Sequence, residues 1–249
     1  MDYKLLLDTA VMAGELMLAN GAETYRVEDT MHRMLSLSGL KTAEAFVMVT
    51  GFLVTLDDPS IQSMTVARRI QSRETNLRII NEINAISRSF CSGEIELQEA
   101  FRQIKRLKKE PHPPRAFLLA NAGVAAAFAL TYGGTLQEAF VAAVAGFFMA
   151  ICLYVCNRMK LPSFFGILLS AVVISLFAGG LLKFLPIIGN LDSIIVAAIM
   201  PLVPGVAITN AVFDTLHGDY ISGTARMMEA FVTAASVAMG IVIGLRILN

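Results

Sequence analysis

Tryptophan is absent from the 249 residues, and cysteine is scarce, with only Cys91, Cys152 and Cys156. An odd count without small-domain spacing excludes a disulfide framework, so reduced thiols are expected. Cys152 and Cys156 stand one helical turn apart, but no His or carboxylate lies near them in sequence. Small apolar packing is therefore the preferred reading over a metal pair. Net charge is missing too, since 20 Lys+Arg balance 20 Asp+Glu. Without a basic surplus, nucleic acid is not an expected partner. The patterns H-E-x-x-H, G-x-S-x-G, G-x-G-x-x-G and the P-loop are all lacking, so an enzyme is not expected and no cofactor is implied. A cleavable signal is not expected either, because Asp8 and Glu15 interrupt the apolar stretch LLLDTAVMAGELML.

What is present is apolar surface. Hydrophobic residues make up 55% of the chain, and the mean hydropathy is +0.64, too high for a typical soluble domain. Residues 1–115 hold 15 Lys+Arg and 15 Asp+Glu, whereas residues 116–249 hold 5 of each. This division predicts an N-terminal cytoplasmic α+β domain over 1–110, a Pro-rich linker over 111–115 and a transmembrane domain over 116–249.

Within the first domain, helical spacing of Leu6, Ala10, Ala13, Leu16 and Met17 predicts a helix over 3–19, stopped by Asn20-Gly21. A second helix fits 25–37. The Val-, Phe- and Thr-rich stretch from Ala43 reads as a small antiparallel sheet, with a turn at Asp57-Asp58-Pro59-Ser60 and a bulge at Gly51. Two more helices are expected over 75–89 and 95–109.

Beyond the linker the long apolar runs predict a membrane α-helical bundle of about five spans, at 116–132, 136–157, 164–185, 191–212 and 227–248. Each approaches the roughly 20 residues that cross a bilayer core. Lys105, Arg106, Lys108, Lys109 and Arg115 precede the first span, Arg158 and Lys160 follow the second, and Arg226 precedes the fifth. The opposite side carries only Lys183 and Arg246. By the positive-inside rule the N-terminus is expected in the cytoplasm and the C-terminus outside, in a bacterial inner membrane. The basic stretch KRLKKEPHPPR also suits anionic lipid headgroups, which makes membrane lipid an expected partner.

The fourth run is broken. Pro201, Pro204 and Gly205 interrupt it, and proline removes a backbone donor while clashing with the preceding turn. Unpaired carbonyls at membrane depth persist only where protein or water satisfies them. A half-helix starting at Val206 would present its N–H groups to a carboxylate; the plainer alternative is a packing kink. Asn210, Asp214 and His217 follow at i, i+4 and i+7 with Thr209 adjacent, so a continuing helix turns them to one face. Asp219, Ser222 and Gly223 read as turn chemistry. In the fifth run Glu229, Thr233, Ser236, Gly240 and Gly244 form a stripe whose glycines suit close helix approach. An intramembrane carboxylate needs a partner, and Arg226 is the nearest candidate for Glu229. Near the N-terminus Glu23, Arg26, Glu28, Asp29, His32 and Arg33 crowd the start of the second helix, as either a solvated face or a docking surface.

GAETYRVEDTM, together with PLVPGVAITNAVFDTLHGDYISGTARMMEA, resembles the threonine/serine exporter family, and specifically the larger subunit of its two-component members. The resemblance covers the whole chain. It implies secondary export of small carboxylate-bearing metabolites, such as threonine, serine or dicarboxylates like succinate, from the bacterial cytoplasm. The family motif maps onto Glu23, Arg26, Val27 and Glu28, and onto Pro204, Gly205, Asn210, Asp214, Gly218, Asp219, Gly223 and Arg226. Single-chain members have about ten spans, so half that number implies a small transmembrane subunit or a homo-oligomer as partner. On this reading Pro204, Gly205, Thr209 and Asn210 bind substrate, Asp214 and Glu229 carry protons, and Arg226, His217 and Asp219 support them. A divalent-metal permease and a non-transporting assembly or regulatory subunit are the alternatives.

Overall fold

The computed structural model describes residues 1–107, 113–184 and 189–248. Contacts group the chain into two compact units, one of Met1–Glu110 with Val206–Met227 and one of Pro111–Gly205 with Met228–Asn249. Residues 111–112 of the expected linker, and the end of the helix expected over 95–109, lie outside the described residues.

In the first unit, α1 (Tyr3–Ala19) starts where the Asp2 carboxylate accepts from the Leu5 amide at 3.0 Å and ends before Gly21, whose φ of +89° suits a residue without Cβ. Helix α2 (Thr24–Ser36) follows directly. Strands β1 (Thr42–Met48), β2 (Gly51–Asp57) and β3 (Met64–Arg69) form one antiparallel sheet in that order. The bulge expected at Gly51 is absent. Val49 and Thr50 instead close a two-residue hairpin, with Met48 opposite Gly51 in unbroken register. Gly51 is needed for close approach, because a Cβ there would strike the Arg68 carbonyl. The turn expected at Asp57–Ser60 is found. Asp58 Oδ1 accepts from the Ser60 hydroxyl at 2.6 Å and the Ser60 amide at 2.9 Å, which holds its carboxyl below the usual range.

Helix α3 (Leu77–Cys91) begins two residues later than expected, because the Asn76 side chain caps the Ile79 amide. Helix α4 (Leu97–Arg106) completes this part. Alternation along β1 and β2 turns Ala45, Val47, Phe52, Val54 and Leu56 inward. They meet Leu6, Met17, Met31, Met34, Ile83 and Ile104 in one core.

The second unit holds α5 (Pro114–Thr131), α6 (Leu136–Arg158), α7 (Ser163–Phe184), α8 (Leu191–Ile199) and a 3₁₀ turn (Met200–Leu202). A capping box of Thr135 and Glu138 starts α6, and Glu138 Oε1 also accepts from the Asn190 amide at 2.7 Å, tying the start of α6 to that of α8. Helix α8 packs on α5, α6 and α7 through small residues, among them Ala125, Ala142, Ala145, Ala171 and Ala198. Cys156 is buried with Gly166 against its Cβ, the packing role expected for it.

Two further helices are α9 (Gly205–Leu216) and α10 (Tyr220–Leu248). Among the described residues four single helices, α5, α6, α7 and α10, are long and apolar enough to cross a membrane. The segment 191–202 followed by 205–216, bent by 58°, makes a fifth candidate if it counts as one span. The protein is a mostly helical, multi-pass membrane chain with a small three-stranded sheet. Helix α10 starts at Tyr220, seven residues before the expected 227. The turn lies at His217–Asp219, where Gly218 has φ +89°, and Asp219 Oδ1 caps the Ser222 amide at 3.1 Å. Ser222 and Gly223, expected in the turn, therefore lie inside the helix.

Along α10 the predicted small-residue stripe is partly realised. Ser236, Gly240 and Gly244 are buried, Thr233 is half-buried and Glu229 is exposed. A Cβ at Gly240 would strike the Leu168 carbonyl, and one at Gly244 would meet Ser175 Cβ at 2.6 Å. Close approach of α10 to α7 is therefore the reason for both glycines. Ser175 Oγ donates across this seam to the Ile241 carbonyl at 3.3 Å.

Candidate functional site

The chain from Asn20 to Thr24, between α1 and α2, meets α9 and the first turns of α10 within the first unit. Asp214 Oδ1 accepts from the Thr24 hydroxyl at 2.8 Å and the Thr24 amide at 3.1 Å. Its other oxygen, Oδ2, accepts from Arg226 Nε at 2.8 Å. Arg226 Nη2 donates to the Ala22 carbonyl at 2.8 Å, and Asn210 Nδ2 donates to the Gly21 carbonyl at 3.0 Å. Asp214 is 0% exposed, Arg226 5% and Asn210 6%, so the carboxylate and guanidinium must satisfy one another.

The local sequence explains the geometry. Asn210 and Asp214 are one helical turn apart on the buried face of α9. The Gly218 turn reverses the chain so that Arg226 returns beside Asp214. Gly223 permits the approach, because a Cβ there would strike Thr215 Oγ1 and lie 3.0 Å from the Ala211 carbonyl. Ser222, one turn before Arg226, is buried, and its hydroxyl has no hydrogen-bond partner among the described residues.

Beside this clasp is a cavity of about 410 Å³ lined by Tyr25, Glu28, Phe46, His217, Asp219 and Tyr220, among others. The rings of Tyr25 and His217 stack at 4.0 Å with parallel planes, and His217 Nδ1 lies 2.8 Å from the Phe213 carbonyl. Glu28 Oε2 accepts from the Val47 amide at 3.2 Å. Burial pushes the Glu28 carboxyl upward; the Val47 amide opposes that shift, and the carboxylates of Asp219 and Glu44 add to it. A carboxyl whose folded value is raised keeps its proton to higher pH than the unfolded chain does. Its contribution to stability therefore falls as pH rises from the ordinary carboxylate range through the raised value. In Glu28→Gln that part of the pH slope should vanish, which thermal unfolding midpoints collected between pH 4 and pH 8 would reveal; an unchanged slope would contradict the assignment.

The family model described as "Putative threonine/serine exporter" matches residues 8–248. The chain belongs to the threonine/serine exporter family. It is 26% identical over 247 residues to the "Probable threonine/serine exporter" of Mycobacterium tuberculosis, a match covering 97% of this chain and 46% of that protein. The chain thus spans about half the length of the mycobacterial relative. To the "Probable succinate transporter subunit YjjP" of Escherichia coli it is 24% identical over 242 residues, 95% of this chain and 92% of that one. The Klebsiella aerogenes protein of the same name is 25% identical over 240 residues, covering 92% and 88%. No solved structure matches the chain.

In this exporter-family chain the two resemblance motifs meet side by side. Asn210, Asp214 and Arg226 converge on the Gly21–Thr24 backbone, while Glu28, His217 and Asp219 line the adjoining cavity. Glu23 and Arg26 pair at 3.3 Å on the surface of α2. Pro204 and Gly205 lie at the break, Thr209 is exposed near the start of α9, and Glu229 is exposed in α10. Sequence reasoning missed Thr24, the Gly21 and Ala22 carbonyls, the Tyr25 stack and the Asp214–Arg226 pair. No local spacing could have shown Thr24, which is 190 residues from Asp214. Among the described residues, no group of three or more His, Cys, Asp or Glu side chains is arranged to hold a metal ion.

Proposed function

We propose that the chain is the large subunit of a secondary exporter that moves small carboxylate-bearing metabolites, threonine and serine or dicarboxylates such as succinate, out of the bacterial cytoplasm. The observation that carries this reading is the buried Asp214–Arg226 pair, set in the two motifs by which the chain resembles its family. A guanidinium binds a carboxylate through paired, charge-assisted hydrogen bonds, and Arg226 already holds one from Asp214. Protonation of Asp214 would release Arg226 to a substrate carboxylate; loss of the proton would return it to Asp214 and expel the substrate. Export and proton movement are coupled by that competition. Asp214 is then the proton carrier at the pair, with Glu229 a second carrier along α10. Pro204, Gly205 and Thr209 border the path at the broken span, and Asn210 holds the Gly21 loop in place.

On this reading residues 1–110 form a cytoplasmic domain, the chain is a multi-pass protein of the inner membrane with its C-terminus outside, and a small transmembrane subunit or a second copy completes the path. Two relatives are named as transporter subunits, which supports a partner.

The test is efflux from proteoliposomes loaded with threonine, serine or succinate, with and without a pH gradient, using the chain alone and with a small-subunit partner. Efflux of at least one substrate should depend on the gradient. Asp214→Asn and Glu229→Gln should each slow it by about tenfold or more, the scale of losing a hydrogen bond to a charged group. Wild-type efflux in both variants would remove the proton-carrier assignment, and no efflux of any loaded substrate with a partner present would remove the exporter reading.

A further inference from the structure

A second cavity lies away from the Asp214 clasp. It has a volume of about 780 Å³ and lies between α2 and α3, lined by Arg26, Asp29, Arg33, Asn81, Asn84 and Arg88 among others. The two helices turn their apolar faces elsewhere: Val27, Met31, Met34 and Leu35 of α2, and Ile79, Ile83, Ile86 and Phe90 of α3, all enter the core. What remains toward the groove is a polar stripe on each helix. On α2, Arg26, Asp29 or Thr30, and Arg33 recur at i, i+3 or i+4, and i+7; on α3, Asn81, Asn84 and Arg88 recur at i, i+3 and i+7. Three guanidinium groups thus face one lining carboxylate, that of Asp29.

The Asp29 carboxylate is already engaged by Arg33 Nε, at 2.8 and 2.9 Å. Among the described residues the terminal nitrogens of Arg33 make no hydrogen bond. Arg26 Nε rests 3.3 Å from Glu23. Arg88, across the groove, has no ion-pair partner among the described residues. Cationic forks with the Asn81 and Asn84 amides between them match a multiply charged oxyanion, because guanidinium binds carboxylate or phosphate oxygens in pairs while Asn amides donate to the rest. The volume falls within the range of small-molecule sites, about 300–1,000 Å³.

We propose that this groove binds a small, multiply charged oxyanion of the polycarboxylate or phosphate class, at a site separate from the Asp214–Arg226 pair. The site does not depend on the export reading. Isothermal titration of the detergent-solubilised full chain with citrate, succinate and inorganic phosphate, at constant ionic strength near 0.15 M, tests it. Saturable binding of at least one anion is expected. Preference for citrate or succinate would assign a carboxylate ligand, and preference for phosphate a phosphorylated one. Arg88→Ala should weaken that binding by about tenfold or more, with partial recovery in Arg88→Lys, since a lost charge-assisted bond is worth that factor. Arg88 is exposed, so the substitution leaves the core intact. Succinate is also a proposed export substrate, so only binding that Arg88→Ala weakens belongs to this groove, which separates it from the Asp214–Arg226 pair. No saturable binding of any of the three anions, or equal affinity in wild type and Arg88→Ala, would overturn the proposal.

Discussion

Asp214→Ala should destabilise the first unit by about 3–5 kcal/mol, the usual cost of leaving a buried charge without its partner. Arg226 is almost wholly enclosed, and its Nε would lose the Asp214 carboxylate. The Thr24 amide and hydroxyl would lose their acceptor at the same time. Asp214→Asn should cost less, since the amide oxygen can still accept from Thr24. Replacing the pair together, Asp214→Leu with Arg226→Met, should recover much of the loss, because a buried ion pair exchanged for apolar groups of similar volume is often close to neutral. Denaturant unfolding of the detergent-solubilised protein gives the comparison. If Asp214→Ala unfolds within about 1 kcal/mol of wild type, the pair lacks the burial assigned to it.

The second large effect is expected at Gly240. In Gly240→Ile the new Cβ would strike the Leu168 carbonyl and lie 2.7 Å from the Ala171 Cβ. The first of these is backbone and cannot rotate aside, so α7 and α10 must separate and the Ser175 bond to the Ile241 carbonyl breaks. A loss at the upper end of the roughly 1–3 kcal/mol typical of overpacking is expected, or more. Gly180 in α7 is the control, as nothing lies within 4 Å of a Cβ placed there. Gly180→Ile should leave the unfolding midpoint nearly unchanged. Equal effects at the two glycines would refute the close-approach assignment.

Local patterning made much of the fold legible. Helix α1 was readable to the residue because its apolar spacing and the Asn20-Gly21 stop act within one segment. The long apolar runs and the break at Pro201–Gly205 were legible for the same reason, since length and missing backbone donors are properties of the run itself. The hairpin at Val49-Thr50 was not, because neither residue carries the glycine or asparagine signal of a tight turn. The start of α10 was missed because Asp219 and Gly223 suit a turn equally well. Gly223 is there for its closeness to Thr215 and Ala211, a contact between helices that no single-helix pattern contains. At the candidate site, Asn210 and Asp214 were readable as one face, while their partners were not. Spacing identifies which side chains share a helix surface but not which distant loop that surface meets.

The bonds from Asn210, Asp214 and Arg226 to residues 21–24 also constrain how the chain is made. The first unit is discontinuous, with its last segment, Val206–Met227, separated from its first by the helices of the second unit. At the usual synthesis rate of about 5–20 residues per second, the loop at Asn20–Thr24 waits many seconds for those partners to emerge. Closing a loop of nearly two hundred residues is slow, and the first unit can reach its final form only after α5 to α8 have been made. Completion of the clasp therefore doubles as an assembly checkpoint: an N-terminal unit with Asp214 bound to Thr24 is one whose downstream helices already exist.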